Sequence, residues 1–289
     1  MANSRLSRVE YQEKKRHTKK KIRLRKWVIF LFLLIFVIIF LIFSLKIFGW
    51  YQDNKEIDDL ADDVIKQTEL IEKEDNTSTE TINPPVDPDD DYWNYIKLNL
   101  LEVNFQDLLA KNSDTVGWIQ VKGTNINYPI VQTTDNDYYL SHAFDKTAND
   151  AGWVFMDYRN DATNFDQNTI IYAHSRYNGT MFGSLKNILN SSWYTNKENY
   201  IIRLSTPTEN TMWQVFSVYT TPKESYYITP NFATEEEYLQ FLNTIKSRSQ
   251  VDFSATVNTN DKILTLSTCQ DNFGNRVVMH AKLIKREIR

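Results

Sequence analysis

The chain has 289 residues, 33 Lys/Arg against 37 Asp/Glu and a formal net charge of −4, a length that suits one domain of about 200 residues with flanking segments. Its single cysteine excludes an intrachain disulfide framework and a multi-cysteine zinc site. The small net charge hides an asymmetry. Residues 1–26 hold 11 Lys/Arg and two Glu, whereas residues 27–289 hold 22 Lys/Arg and 35 Asp/Glu, so the two parts face different surroundings.

The run from Trp27 to Leu45 contains no charge, Gly or Pro. As a helix it spans roughly 28 Å, close to the hydrocarbon thickness of a bilayer. It is followed by Lys46-Ile47-Phe48-Gly49-Trp50-Tyr51 and by no Ala-x-Ala cleavage pattern, which argues for a retained anchor over a cleaved signal peptide. Lys14, Lys15, Arg16, Lys19, Lys20, Lys21, Arg23, Arg25 and Lys26 precede it, which places the N-terminus in the cytoplasm and the rest outside. The position of this basic segment, directly before the apolar run, marks it as a topology signal, and no nucleic-acid partner is expected. Residues 46–91 read as a stalk. Ile57, Leu60, Ala61, Val64 and Ile65 suggest a short helix, and the polar segment Asn76 to Asp91 with its three Pro reads as extended and mobile.

From residue 92 onward the chain reads as one domain. Asn104 can cap a short helix with Phe105, Leu108 and Leu109 on its apolar face. Short β-rich runs follow at 117–121, 126–131, 169–173, 200–204, 213–219, 262–268 and 276–284. One helix interrupts them, capped by Thr234, with Glu235, Glu236 and Glu237 in its first turn and an apolar stripe of Tyr238, Phe241, Leu242 and Ile245. The pattern predicts a mostly antiparallel barrel with a few helices.

A free thiol outside the cell is prone to oxidation and mispairing, so Cys269 is either a small buried hydrophobe or a reactive group. It ends the run Ile263 to Thr268, and Arg276 opens the next run after a short loop. Two antiparallel strands so joined put both residues at one end of the barrel, where a guanidinium can favour the thiolate and donate to an oxyanion. Of the four histidines, His17 lies in the basic segment, His142 in a loop-like stretch and His280 inside the last strand. His174 leaves the strand Thr169–Ala173 for a polar loop, a position where scaffolds hold catalytic groups. Considered singly, position favours an ordinary loop histidine for His174, and Arg276 reads as readily as a solvated strand-end charge, common in any barrel.

The segment Thr265-Leu266-Ser267-Thr268-Cys269 resembles the TLxTC signature of sortases, and Ile171-Tyr172-Ala173-His174 resembles their histidine strand. Class B sortases fit best. The similarity runs in consistent order through Asp114–Ile119, Asn127–Gln132, Asp137–Leu140, Phe155–Asn160, Met181-Phe182 and Arg276–Val278. Gln270 stands where an acidic residue often follows the cysteine, and Ala173 where Gly usually precedes the histidine.

The resemblance implies a sortase-type closed eight-stranded β-barrel, with N-terminal helices and one helix in the connection before the last strands. It implies a catalytic domain at 92–289, with Cys269 as nucleophile, His174 as general acid/base and Arg276 as the oxyanion or substrate-positioning group. Leu140, Tyr227, Ile228 and Ser267 match positions that line the groove for a sorting signal. The implied partners are exported proteins with a C-terminal sorting signal, NPxTN-like or related, and an amine acceptor on a peptidoglycan precursor or a pilin. This chemistry requires no metal or organic cofactor. The His-Gly-Thr and Ser-His-Gly-Cys patterns of L,D-transpeptidases are missing, and a papain-like protease would carry its cysteine before its histidine. A non-enzymatic adhesin on a stalk would not bring the three groups together.

Overall fold

The computed structural model describes residues 25–268 and 274–289. Cys269 and all but the last two residues of the basic segment lie outside the described residues. The chain divides into two compact units, Met1–Gln52 and Asp53–Arg289. A helix, α1 (Lys26–Gln67), covers the described part of the first unit beyond Arg25 and continues into the second. It is the one helix among the described residues long and apolar enough to cross a membrane, and none of its apolar window is buried within the protein.

The second unit begins with the end of α1, which buries Ile57, Ala61 and Val64, the spacing of one helical face. The stalk expected over 46–91 is therefore corrected from Asp53 onward: this segment is built into the domain. Strand β1 (Leu70–Lys73) pairs antiparallel with β3 (Leu100–Val103), and β2 (Thr79–Thr81) adds to the last strand. Tyr92, in the one-turn helix α2 (Tyr92–Tyr95), is fully buried, and its hydroxyl donates to the carbonyls of Ile82 and Ile284. Polar side chains that read as solvated are spent on pairing. Asn83 donates to Asp261 and to the Asn260 carbonyl, and Lys285, fully buried, donates to the Ile96 and Leu98 carbonyls at 2.8 and 2.9 Å and pairs with Asp75. Asn104 sits one residue earlier than a cap would, before α3 (Gln106–Lys111), and its Oδ1 accepts from the Gln106 amide.

The eight barrel strands are β4 (Thr115–Val121), β5 (Asn127–Val131), β6 (Phe155–Met156), β7 (Asn168–Ala173), β8 (Ile201–Ser205), β9 (Glu209–Pro222), β10 (Ile263–Thr268) and β11 (Asn275–Ile288). Their ring order is β10-β7-β6-β5-β4-β8-β9-β11, closed by β10 on β11. This is the expected eight-stranded barrel, with two departures from antiparallel pairing: β7 with β10 and β5 with β6 run parallel. Closure leaves no free edge along the ring, and Trp118, Trp153 and Trp213 are fully buried in the core. A one-turn helix, α4 (Ser191–Tyr194), precedes β8. The predicted helix is α5 (Glu235–Ser247), where Thr234 accepts from the Glu237 amide and Tyr238, Phe241, Leu242 and Ile245 face inward.

His280 sits in the core of β11, fully buried. Thr265 donates to Asn168, so its oxygen accepts from His280 Nδ1, and the Tyr219 hydroxyl meets Nε2 at 2.8 Å. The ring is thus held neutral, and burial pushes it down to about 3. The unfolded chain takes up this proton below about pH 6.5 while the folded chain does not, so stability is lost as pH falls from there toward 3, by up to about 1.4 kcal/mol per pH unit. NMR of the His280 ring is expected to show it neutral at pH 5; a midpoint near 6.5 would contradict the assignment.

Candidate active site

Strands β7 and β10 lie side by side, and the parallel register sets Ala173 level with Thr268. Both strands are buried along their whole length, which suits neighbouring parallel strands covered on both faces. The residue after Ala173 is His174. The residue after Thr268 in the chain is Cys269, outside the described residues.

The His174 ring is partly buried, and its Nε2 lies 2.8 Å from the carbonyl of Leu140. A carbonyl can only accept, so Nε2 carries the hydrogen and Nδ1 keeps its lone pair. Burial holds the ring below the ordinary histidine range. The Leu140 carbonyl and Asp150 oppose the shift, and Arg176 adds to it. Leu140 ends a single 3₁₀ turn, Tyr138–Leu140. Gly152, at φ +62°, packs behind that turn. The loop after His174 is closed by a bridge between Ser175 and Met181, and its Asn178 donates to Asp58 of α1 at 2.8 Å.

Arg276 lies in β11 beside the end of β10. Its Nη1 donates to the Thr268 carbonyl at 3.0 Å, and the Val277 amide donates to Thr268 Oγ1. A cavity of about 230 Å³ opens against Arg276, lined by Asn136, Asp137, Leu140, Phe155, Tyr172, Lys223, Glu224, Tyr227 and Ile228. Leu140, Tyr227 and Ile228 thus converge on one cavity with Arg276. Ser267 does not line it: it is fully buried and meets the Tyr227 hydroxyl at 3.2 Å. His142 is elsewhere engaged, stacked on Tyr138 with ring centroids 4.0 Å apart. A larger cavity of about 470 Å³, bordered by Glu72, Lys122, Asn125 and Arg203, contains neither His174 nor Arg276. Among the described residues no group of three or more His, Cys, Asp and Glu is placed to hold a metal ion.

Residues 119–284 match the sortase domain model. The chain is 38% identical over 184 residues to sortase B of Staphylococcus aureus, covering 63% of this chain and 75% of that protein. Among solved structures, a Staphylococcus aureus sortase B–substrate complex aligns with a TM-score of 0.58 at 37% identity, over 63% of this chain and 84% of that one. Sortase B of B. anthracis aligns with a TM-score of 0.65 at 34% identity, over 81% and 99%. The chain belongs to the sortase family, on its class B branch. It is a cysteine transpeptidase, and its barrel is that of the class B sortases.

The sequence left Asn136, Gly152, Asp157, Arg159 and Tyr172 without roles, although the sortase geometry places all of them at or just behind the cavity or His174. Two signals were the run Phe155-Met156-Asp157-Tyr158-Arg159-Asn160, which belongs to the sortase resemblance but carries no nucleophile or base, and Tyr172 within the histidine strand.

Proposed function

We propose that this sortase is anchored in the membrane by α1 and transfers exported proteins bearing an NPxTN-like C-terminal signal to an amine of peptidoglycan or of a pilin. Cys269 is the nucleophile, His174 the general acid/base and Arg276 the oxyanion group. The observation that carries this reading is the level register of Ala173 and Thr268 on adjacent strands, with Arg276 bonded to the Thr268 carbonyl. The two chain positions that follow those strand ends are the imidazole and, in sequence, the thiol. The substrate complex of the Staphylococcus aureus relative supports a peptide substrate for this chain.

In this mechanism Nδ1 of His174 takes the Cys269 thiol proton, and the thiolate attacks the carbonyl carbon of the signal's Thr. The oxyanion is met by the guanidinium of Arg276. The C–N bond breaks, His174 gives a proton to the leaving amine, and a thioester remains on Cys269. An acceptor amine then attacks the thioester, giving up its proton to His174, and the thiolate leaves as the new amide forms. Leu140, Tyr227 and Ile228 hold the signal in the cavity, and Ser267 holds Tyr227. The apolar part of α1 spans the bilayer, and the basic residues before it stay in the cytoplasm. The catalytic domain is then outside, where exported substrates and wall precursors meet.

The test is a panel of quenched sorting-signal peptides, each with no amine, with a peptidoglycan-type amine, or with a lysine peptide. Cleavage after Thr is expected, with a new amide product in one amine arm. A wild-type enzyme that cleaves no peptide overturns the reading.

A further inference from the structure

The Asp157–Arg159 pair lies behind the cavity and has no part in the chemistry above. We propose that it is a brace that holds the two sides of the peptide groove at a fixed separation, making both residues positioning residues for the sorting signal. The proposal rests on the peptide reading of that cavity.

Asp157 follows β6 and is fully buried. Its Oδ2 accepts from Asn136 Nδ2 at 3.0 Å, from the Tyr172 hydroxyl at 2.9 Å and from Arg159 Nη2 at 2.7 Å. Its Oδ1 accepts from Arg159 Nε at 2.8 Å and from the Arg159 amide at 3.0 Å. The same Arg159 Nη2 donates to the Ile228 carbonyl at 2.8 Å. Asn136 and Ile228 line the cavity from two separate connections, one before β6 and one after β9, and Tyr172 lines it from β7. One carboxylate and one guanidinium therefore link three lining residues. Asn168 of β7 also ties the Ile228 segment to that strand, donating to the Tyr227 and Thr229 carbonyls at 3.0 Å, so the pair is what adds Asn136 to this link.

The chemistry suits a fixed strut. Burial would raise the Asp157 carboxyl, but the hydrogen bonds from Arg159 and Tyr172 outweigh it and hold the group below the ordinary carboxylate range, so its oxygens remain acceptors at physiological pH. A bidentate guanidinium–carboxylate pair has one preferred plane. Arg159 uses the second hydrogen on Nη2 to reach Ile228, a geometry that Lys cannot copy with a single ammonium. The Tyr158 amide also donates to Asn136 Oδ1 at 3.0 Å, which fixes the orientation of that amide side chain from both ends.

Arg159→Gln and Arg159→Lys test the brace, since this side chain is 38% exposed. Because Arg159→Gln leaves the buried Asp157 carboxylate without its ion partner, thermal melting confirms that each variant is folded at the assay temperature. Hydrogen exchange reads the brace without any peptide: amides of 136–140 and 226–229 are expected to exchange faster together in Arg159→Gln, with Arg159→Lys intermediate. With a cleaved sorting peptide, KM is expected to rise about tenfold with kcat within about twofold, and iodoacetamide should alkylate Cys269 at the wild-type rate. Unchanged exchange at either stretch overturns the brace, as does a wild-type KM in Arg159→Gln. A fall in kcat matched by a fall in alkylation also overturns it, because the damage is then at the thiol. If wild type cleaves no peptide, the peptide reading fails, and exchange still decides whether the brace exists.

Discussion

Replacing His174 by Gln is expected to lower kcat/KM for a sorting peptide by about 10²–10⁴-fold, the usual worth of a positioned acid/base. Gln preserves a polar group of similar reach but cannot titrate. The Leu140 carbonyl holds the hydrogen on Nε2, so only Nδ1 of the neutral ring can take a proton. Burial lowers the ring below 6.5, so it stays neutral to a lower pH than an exposed histidine. As pH falls through that lowered value the ring becomes imidazolium and can no longer take the thiol proton. The acid limb of the wild-type kcat/KM profile should therefore lie below pH 6.5, and it should vanish in His174→Gln. Steady-state kinetics across pH 4.5–8, with circular dichroism to confirm the fold, checks both. A loss smaller than tenfold, or the same acid limb in the variant, would remove His174 from this role.

His174 and Arg276 stood out in the sequence because one follows the strand run that became β7 and the other opens the strand that pairs with β10, but their catalytic roles, and that of Cys269, came only from the sortase resemblance. The barrel was legible for a related reason: its strands are β-branched, apolar and bounded by turn residues. The parallel pairing of β7 with β10 was not, because side-chain alternation has the same period whichever way the partner runs. The built-in segment 53–91 was hidden by its composition. Its acidic and Pro-containing stretch looks solvated, yet the segment's backbone pairs with β3 and β11, and the residue that follows it, Tyr92, reaches the core. The helical stripe of Ile57, Ala61 and Val64 was the visible clue that this segment had something to pack against. The Asp157 network was hidden by distance, since its contacts span 21 residues to Asn136 and, through Arg159, 69 to Ile228. No local pattern encodes a polar hub whose partners are brought together only by closure of the barrel.

Gly152 is the residue whose importance is purely geometric, and Gly152→Ala is expected to cost about 1–3 kcal/mol of stability and about 10²-fold in kcat/KM. Its φ of +62° is one that an L side chain rarely adopts, and an added Cβ would stand 2.6 Å from the Tyr139 carbonyl oxygen and 2.9 Å from both the Leu140 carbonyl oxygen and His174 Cδ2. Two of these obstacles are backbone, so relief requires the Tyr138–Leu140 turn to move. That turn carries the acceptor that sets the His174 tautomer, and Tyr139 also accepts from the Trp153 amide at 2.9 Å. The expected loss of activity should therefore exceed what destabilisation alone produces. Gly179→Ala supplies the comparison. Gly179 lies in the loop after His174 at φ +86°, but the nearest atom to its added Cβ is Asn125 Nδ2 at 3.3 Å, the far end of a side chain and remote from the imidazole. Gly179→Ala should lose a similar amount of stability through backbone strain and keep nearly all of its activity below its melting temperature. If the two variants lose activity in proportion to their melting temperatures, Gly152 acts through the fold alone. If only Gly152→Ala loses activity well below its melting temperature, the close approach of its backbone to the imidazole is a requirement of catalysis.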